Sequence, residues 1–278
     1  MYLMNKIIRI MAVAGAITAA SCAPKASQKA LVLYYSQTSN TKAVAEQIAA
    51  AVGADIEEIV AVNPYDGDFK ATIDRCLAEQ KDGILPEIEP LKVDVAAYDV
   101  IFLGYPVWFG TYAPPVAKWL EGVSLAGKKI VPFCTFGSGG LDSSTKALAA
   151  AQPEAEILPG YGVRAARMAA VPRELDRFLK AGGFIEGEYT APAEFPEQQP
   201  VTEEQAAIFD AAVDGYPMLH CKAVTTASRE VPDGIEYLFV AEDLPREGAP
   251  ADLPPAGPIK VYVLVEEGQA PVFTQVLR

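Results

Sequence analysis

Histidine is almost absent from this chain of 278 residues, which contains only His220. A single histidine excludes a metal site built from several imidazoles. It also argues against a Ser-His-Asp triad, because His220 lies in the C-terminal part of the chain, far from any serine in the loops of the first half.

Cysteine is scarce as well, with four residues and no C-x-x-C motif. The sequence therefore suggests neither a zinc ribbon nor a thioredoxin-type dithiol. If Cys22 is modified, as argued below, three cysteines remain and at least one of them has no partner within the chain.

Basic residues are few relative to acidic ones. The chain has 23 Lys and Arg but 36 Asp and Glu, which gives a formal net charge of -13. An acidic surface argues against nucleic acid as a partner, because phosphates need Lys and Arg. It argues equally against electrostatic attachment to anionic lipid. It is compatible with a basic protein partner, although solubility alone also explains acidity.

The first 22 residues have the pattern of a targeting segment. Lys6 and Arg9 precede the apolar stretch 10–20, which is too short to span a bilayer as a stable helix. The stretch ends in Ala19-Ala20-Ser21-Cys22, which resembles the bacterial lipoprotein signal. The resemblance implies that Cys22 is acylated, that residues 23–29 form a tether, and that the membrane is contacted through this anchor only.

A plain secretory signal with a cysteine near its cleavage site is the alternative. We expect the lipid-anchored form, in the bacterial cell envelope. No acidic run follows Cys22, so nothing suggests export to the cell surface, and a periplasm-facing position is expected.

Between residues 30 and 190, apolar runs typical of strands alternate with helical patterns. The expected strands are Leu31–Tyr35, Asp55–Val62, Val100–Gly104, Lys129–Thr135 and Ile157–Val163. The expected helices are Thr41–Val52, Phe69–Gln80, Pro115–Leu120, Ser144–Ala151 and Pro172–Ala181. This alternation predicts an α/β fold with a doubly wound, five-stranded parallel sheet of order 2-1-3-4-5.

The most informative segment is the polar loop that follows the first strand. It reads Ser36, Gln37, Thr38, Ser39, Asn40 and Thr41, with hydroxyl and amide side chains but no charge. The first N–H groups of a helix lack partners within the helix and carry partial positive charge. A phosphate would thus be held here by dipoles and hydroxyls. The alternative is that these residues only cap the helix.

Two more loops leave the carboxyl ends of the third and fourth strands, where ligands bind in open α/β sheets. The aromatic side chains of the first of them offer flat apolar partners to a ligand ring, although we expect either Trp108 or Phe109 to pack structurally instead. In the other, glycines let the backbone approach a ligand closely. The candidate residues are Pro106, Val107, Trp108, Phe109 and Gly110, then Thr135, Phe136, Gly137, Ser138 and Gly139.

Residues 36–41 resemble the phosphate-binding fingerprint of the flavodoxin family: Ser or Thr, any residue, Thr, Gly, any residue, Thr. The departure is Ser39, which stands where the family usually has glycine and costs energy if the position needs positive φ. Residues 104–115 resemble the second flavin loop of a bacterial flavodoxin-like family, with its Gly-aromatic-Pro-aliphatic-Trp-aromatic pattern. Residues 132–141 resemble the glycine-rich third loop of that family. Tyr65, Asp66 and Arg75 also match it, without an assigned role.

The resemblance covers about residues 30–180. It implies a flavodoxin-like domain over residues 30–190, FMN as the cofactor and the candidate residues of the three loops as its contacts. The expected role is electron transfer with a redox partner protein that the sequence does not identify. An FMN-dependent NAD(P)H reductase is the alternative, but the chain has no second nucleotide fingerprint, which favours the carrier.

Proline-rich residues 191–201 form a linker, and residues 202–278 are expected to form a small α+β domain. Thr202-Glu203-Glu204-Gln205 predicts a capping box at the start of a helix. Strands are expected over Leu219–Arg229, Ile235–Ala241 and Lys260–Val265. One helix wrapped by an antiparallel sheet resembles a cystatin-like domain.

The turn Arg229–Gly234 stands where cystatins carry the protease-contacting hairpin Gln-Val-Val-Ala-Gly. It shares only Val231 and Gly234 with that hairpin, so the hypothesis of protease inhibition depends on fold analogy alone. A further alternative is a non-redox envelope protein in which this domain binds a partner.

Overall fold

The structure is a computed structural model that describes residues 28–66, 68–216, 219–244 and 257–278. The predicted signal segment 1–22, with its lipidation site Cys22, and most of the tether 23–29 lie outside the described residues. Over the described ranges, no helix combines the length and the apolar character needed to cross a membrane.

Seven strands form the first sheet. The parallel strands β1, β2, β3, β5 and β6 follow the order β2-β1-β3-β5-β6, which confirms the predicted fold class. A short strand β4 pairs antiparallel with β3, and β7 continues the edge beside β5. The bounds are Ala30–Tyr34 (β1), Asp55–Glu58 (β2), Val100–Trp108 (β3), Thr111–Tyr112 (β4), Lys129–Phe136 (β5), Glu156–Ile157 (β6) and Tyr161–Arg164 (β7).

Helices cover both faces of this sheet, so each face has its own apolar core. On one face, Val44 and Ile48 of a first helix pack with Leu175 of a fifth, over Val32 and Phe102. The other face is covered by the second, third and fourth helices. Their bounds are Asn40–Val52 (α1), Phe69–Asp82 (α2), Pro114–Glu121 (α3), Leu141–Ala151 (α4) and Val171–Ala181 (α5). Burial on both faces explains why the central strands are continuous apolar runs.

Three of the predicted strands were wrong in extent: the second, the last, and the third, which continues from Gly104 to Trp108. The second ends at Glu58 instead of Val62, because the chain beyond it pairs with residues 87–89: Val62 N donates to Glu87 O at 2.9 Å, and Glu89 N donates to Val60 O at 2.8 Å.

The last parallel strand is broken into β6 and β7. Pro132 of β5 and Pro159 of the intervening segment both lack the N–H that a ladder requires. The edge therefore pairs with β5 at its two ends only.

The C-terminal part of the chain forms a second, antiparallel sheet of order β12-β11-β10-β9-β8. Its helix α6 packs on one face, around Phe209, Phe239 and Phe273. The predicted capping box at Thr202 is present with both of its hydrogen bonds. The bounds are Gln199–Pro200 (β8), Glu203–Val213 (α6), Cys221–Val231 (β9), Gly234–Asp243 (β10), Ile259–Val265 (β11) and Val272–Leu277 (β12). We call residues 199–278 the C-terminal module.

Strand β12 has no counterpart in the sequence-based prediction. Its register against β11 shifts so that Tyr262 faces Gln275 while Val263 faces Phe273, which leaves Thr274 as an extra residue. A β-bulge of this kind reverses the alternation of side chains. Phe273 and Val276, three residues apart, are consequently both buried, and the strand lacks the period of two that would reveal it. The resemblance to cystatins stays a prediction.

Candidate functional site

The site lies at the carboxyl end of the first sheet, and its first part is the loop between β1 and α1. Ser39, the N-cap of α1, has a φ of 66° and a ψ of -4°. This left-handed conformation favours glycine, so the serine carries a cost of roughly 1 kcal/mol. The side chain of Ser39 does not cap the helix, and among the described residues the N–H groups of Asn40 and Thr41 at the start of α1 have no hydrogen-bond partner, which leaves them available to an anion.

The small polar side chains of this loop cluster about the helix N-terminus. The Oγ of Ser36 accepts a hydrogen bond from Lys42 N at 3.2 Å, and Asn40 Nδ2 donates to Thr38 Oγ1 at 3.4 Å. Thr38 and Ser39 are exposed, whereas Ser36 and Asn40 are half-buried. Four of the six candidate residues in this loop thus lie where they can donate to a phosphate.

The other two side chains support the loop from behind. Gln37 Nε2 donates to Tyr65 O and to Thr72 Oγ1, both at 2.8 Å. Thr41 is only 1% exposed, and its Oγ1 lies 2.9 Å from Thr135 Oγ1 at the end of β5. This hydroxyl pair links the first loop to the third.

The second loop is the tight turn that joins β3 to β4. Phe109 and Gly110 occupy its centre with φ angles of 50° and 78°. Positive φ at both central residues is the signature of a type I′ turn, in which a bulky residue such as phenylalanine is strained. Phe109 is nevertheless 53% exposed. An exposed aromatic ring held in a strained turn is typical of a ligand contact.

Trp108 plays the structural part that was expected of one of the two aromatic residues. Its ring meets Tyr35 and Tyr65 edge-on, with centroids 6.0 and 5.1 Å apart. Arg75 braces Tyr65 in turn, with its guanidinium 3.7 Å from the ring centroid. Arg75 also pairs with Glu79 at 2.8 Å and donates to Asn63 O and Pro64 O at 3.0 Å, so its guanidinium stabilises the wall of the site.

The third loop runs from the end of β5 to the start of α4. Gly140 is required here, because a Cβ would lie 2.5 Å from Val107 Cγ1 of the second loop. Ser143 Oγ then donates to Gly110 O at 2.5 Å and to Gly140 O at 3.2 Å, which ties the two loops together. Ser143 was not among the predicted site residues, since a serine one turn into a helix has no distinguishing local pattern.

The remaining candidate residues are less accessible. Thr135 and Phe136 are buried at the end of β5. Pro106 and Val107 are half-buried in β3, whereas Gly137 is exposed and Ser138 and Gly139 are half-buried. Among the described residues, no group of three or more His, Cys, Asp or Glu side chains is arranged to hold a metal ion.

The cysteines of the described residues take no part in the site. Cys76, Cys134 and Cys221 are free and buried. Burial raises the pKa of Cys76 to about 11, and it also raises the pKa of the Cys134 thiol beside the third loop. Both thiols are therefore protonated at neutral pH, which argues against thiolate chemistry.

The C-terminal module packs directly against the third loop. Val276 N donates to Ser138 O at 2.7 Å, and a Cβ on Gly139 would lie 2.3 Å from Val276 O. The turn between β9 and β10, where cystatins carry their hairpin, faces α5 of the first sheet, with Asp233 paired to Arg177. Binding of a protease through this turn would require the two parts of the chain to separate.

Comparison with known proteins gives a consistent result. The family model described as Flavodoxin matches residues 29–170. None of the curated proteins compared with the chain matches it.

Solved structures also match. A protein of Bacteroides eggerthii DSM 20697 assigned as a flavoprotein is 33% identical, with a TM-score of 0.47, over 54% of this chain and 96% of its own. A second one, from Bacteroides uniformis ATCC 8492, is 27% identical, with a TM-score of 0.48, over 54% of this chain and 98% of its own. A flavoprotein from Lactobacillus acidophilus NCFM in complex with FMN is 24% identical, with a TM-score of 0.44, over 52% of this chain and 97% of its own.

Proposed function

The chain belongs to the flavodoxin family, and from this premise we propose that it binds FMN at the carboxyl end of its parallel sheet and transfers electrons. The family assignment supports FMN as the cofactor that the sequence predicts. When bound, the flavin supplies the electron chemistry, and the protein supplies binding, orientation and electrostatics.

The observation that carries this proposal is the physical linkage of the three loops at one sheet edge. Thr41 bonds to Thr135 across the first and third loops, and Ser143 bonds to the carbonyls of the second and third loops. Such a framework holds a phosphate site, an aromatic surface and a glycine-rich backbone in a fixed relation. Those are the three parts that a ligand with a phosphate tail and a flat polar-edged ring requires.

Each loop has a distinct task in this proposal. The N–H groups at the start of α1, with Ser36, Thr38, Ser39 and Asn40, bind the phosphate without any cation. Phe109 offers its exposed ring to the face of the isoalloxazine, with Trp108 anchored beside it. The backbone N–H groups of residues 137–139 would bind the polar atoms of the ring.

We further propose that Cys22 carries a lipid that anchors the protein in the bacterial cell envelope, facing the periplasm. The basic start, the short apolar stretch and the small residues before Cys22 support this. The negative net charge favours a basic redox partner protein and opposes the build-up of negative charge on the flavin, which lowers its potential.

An FMN-dependent NAD(P)H reductase is the second candidate. Its distinguishing property is turnover with NADH or NADPH in the absence of any partner protein. A non-redox binding module is the third candidate. The observations that favour it are Ser39 at the family's usual glycine position and the presence of the appended C-terminal module.

The test is the visible absorbance spectrum of residues 23–278 after purification and incubation with excess FMN. We expect a bound flavin with shifted, structured bands, and a dissociation constant that rises about tenfold in Thr38→Ala, which loses a hydroxyl bond to a charged phosphate. Thr190→Ala, an exposed threonine outside the three loops, is the matched control. Failure of the wild-type protein to bind FMN would contradict the proposal and favour the non-redox module.

A further inference from the structure

Arg164, the last residue of β7, joins the third loop to the C-terminal module. Its Nε donates to Gly137 O at 2.8 Å, and its Nη1 donates to Phe273 O at 2.9 Å. Its guanidinium carbon lies 3.3 Å from the centroid of the Phe273 ring. The side chain is only 7% exposed, so one buried cation contacts the flavin loop and β12 at the same time.

The charge of this side chain has an unusual environment. Nearby Arg167 is paired with Glu174 at 2.6 Å, but Arg164 forms no ion pair with any carboxylate of the described residues. Burial lowers the pKa of Arg164 to about 10, so the guanidinium stays positively charged at neutral pH. Carbonyl oxygens and the ring of Phe273 compensate it only partly, and it therefore stabilises negative charge placed nearby.

The hydrogen bonds also determine which way the loop peptides point. Gly137 O accepts from Arg164, and Ser138 O accepts from Val276 N. In a trans peptide the C=O and the following N–H point in opposite directions. The N–H groups of Ser138 and Gly139 therefore point away from Arg164 and β12. Donation to a carbonyl also polarises its peptide and makes the N–H of that peptide a stronger donor.

We propose that Arg164 is a positioning residue of the flavin site. Together with β12, it fixes two peptides of the third loop so that the N–H groups of Ser138 and Gly139 face the acceptor atoms of the flavin ring. Its buried charge favours the more negative, reduced form of the cofactor. This inference rests on the proposed FMN binding, and it makes the C-terminal module a working part of the flavin site.

The experiment compares wild-type protein with Arg164→Met and Arg177→Met. Arg177 is the matched control. Like Arg164 it joins the first part of the chain to the C-terminal module, because it lies on α5 and bonds to Asp233, but it forms no hydrogen bond with the third loop. Two quantities are measured for each: the FMN dissociation constant from fluorescence quenching, and the midpoint potential of the bound flavin from a redox titration.

For Arg164→Met we expect the affinity for oxidised FMN to fall about tenfold relative to wild type. We expect the affinity for reduced FMN to fall by a second factor of about ten, which is about a hundredfold relative to wild type. The second factor corresponds to a fall of about 30 mV in a two-electron potential. Arg177→Met should keep both quantities near wild type. A role confined to structure would weaken both redox forms equally and leave the potential unchanged, and that result would overturn the assignment.

Two further variants separate the parts of the proposal. Arg164→Lys keeps the charge but lacks the planar fork, so we expect a potential near wild type together with weaker FMN binding. Phe273→Leu lies wholly in the C-terminal module, and we expect it to weaken FMN binding about threefold. It serves in place of Arg164→Met if that variant does not fold, and unchanged binding in Phe273→Leu would contradict a role for the module.

An arm without cofactor keeps this inference distinct from the proposed function. In apoprotein, amide hydrogen exchange of Val276 reports its bond to Ser138 O, and we expect at least tenfold faster exchange in Arg164→Met than in Arg177→Met. Wild-type protein that fails to bind FMN would contradict the proposed function and the flavin part of this inference, while the exchange measurement would still test the fixing of the loop. Equal exchange of Val276 in the two variants would contradict the fixing of the loop, whatever the flavin does.

Discussion

At the scale of single residues, Ser39 shows how a binding loop retains strain. Its left-handed backbone opens the N-terminus of α1, and in that conformation a Cβ is a steric burden. Ser39 is the last residue before α1, and it takes up the left-handed conformation with which the loop enters the helix. The sequence already suggested this cost, since serine stands at the family's usual glycine position.

Ser39→Gly should stabilise the apoprotein. Relief of the left-handed conformation raises the free energy of unfolding, while the greater freedom of glycine in the unfolded chain offsets part of it, for a net gain of up to about 1 kcal/mol. Urea denaturation monitored by circular dichroism measures the change. The control is Ser228→Gly on β9, where the backbone is extended, and there a loss of about 0.5–1 kcal/mol is expected. A loss of stability in both variants would contradict the strain at Ser39.

At the scale of elements, local sequence patterns predicted the parallel sheet and its helices. The strand bounds that were predicted wrongly depend on contacts with residues far away in the sequence. The run Val100–Gly104 is apolar enough to predict a buried strand. However, β3 continues to Trp108, because its next two residues pair with β5 and its last two pair with β4. The break between β6 and β7 depends on Pro132, which belongs to a different strand, as well as on Pro159. The local sequence of the edge segment does not show which residue of β5 lies beside it, so the break could not be predicted from that segment alone.

The turn between β3 and β4 illustrates a conflict between stability and binding. Asparagine followed by glycine is the favoured pair for a type I′ turn, whereas this chain has Phe109 and Gly110. The phenylalanine thus lowers the local stability of the hairpin, and its exposed ring is the reason we give for its presence.

Phe109→Asn should accordingly change two measurements in opposite directions. We expect the free energy of unfolding of the apoprotein to rise by about 0.5–1 kcal/mol, because the turn is relaxed. We expect the FMN dissociation constant to rise about tenfold, since a stacking surface is lost. Fluorescence titration and urea denaturation supply the two values. Phe69→Asn, an 84% exposed phenylalanine at the start of α2, should leave FMN binding unchanged. An unaltered dissociation constant in Phe109→Asn would exclude Phe109 as a ring contact.

At the scale of the whole molecule, the two sheets are joined by contacts that no local pattern in the sequence predicts. Arg164 and Phe273 are 109 positions apart, and each alone reads as an ordinary strand residue. The loops of the site could be predicted because strand, loop and helix follow one another along the chain. The contact of β12 with the third loop could not, because it joins two sheets whose residues lie far apart in the sequence.

Asp233 makes this contact dependent on pH. Its hydrogen bond from Arg177 holds the pKa of the Asp233 carboxyl below its usual value, with Arg173 at 3.5 Å adding to the effect. A depressed pKa contributes stability above the unfolded value of about 3.9, and that contribution is lost as pH falls through the folded pKa. The link between the two sheets is therefore intact at neutral pH and weakens in acid.

Asp233→Asn should lower the free energy of unfolding by about 1–2 kcal/mol at pH 7, because it removes a charged hydrogen bond that is largely shielded from water. The asparagine keeps a residue suited to the turn before Gly234, so the hairpin itself is preserved. The difference from wild type should start to shrink as pH falls below about 4, where Asp233 is protonated in the unfolded chain, and should be lost once pH is below the depressed pKa of Asp233 in the folded protein. Denaturation series from pH 7 to pH 3 measure it. Asp176→Asn, which breaks a pair with Lys180 inside α5 alone, should cost less than about 0.5 kcal/mol. A deficit in Asp233→Asn that stays constant across this range would show that the ion pair does not link the two sheets.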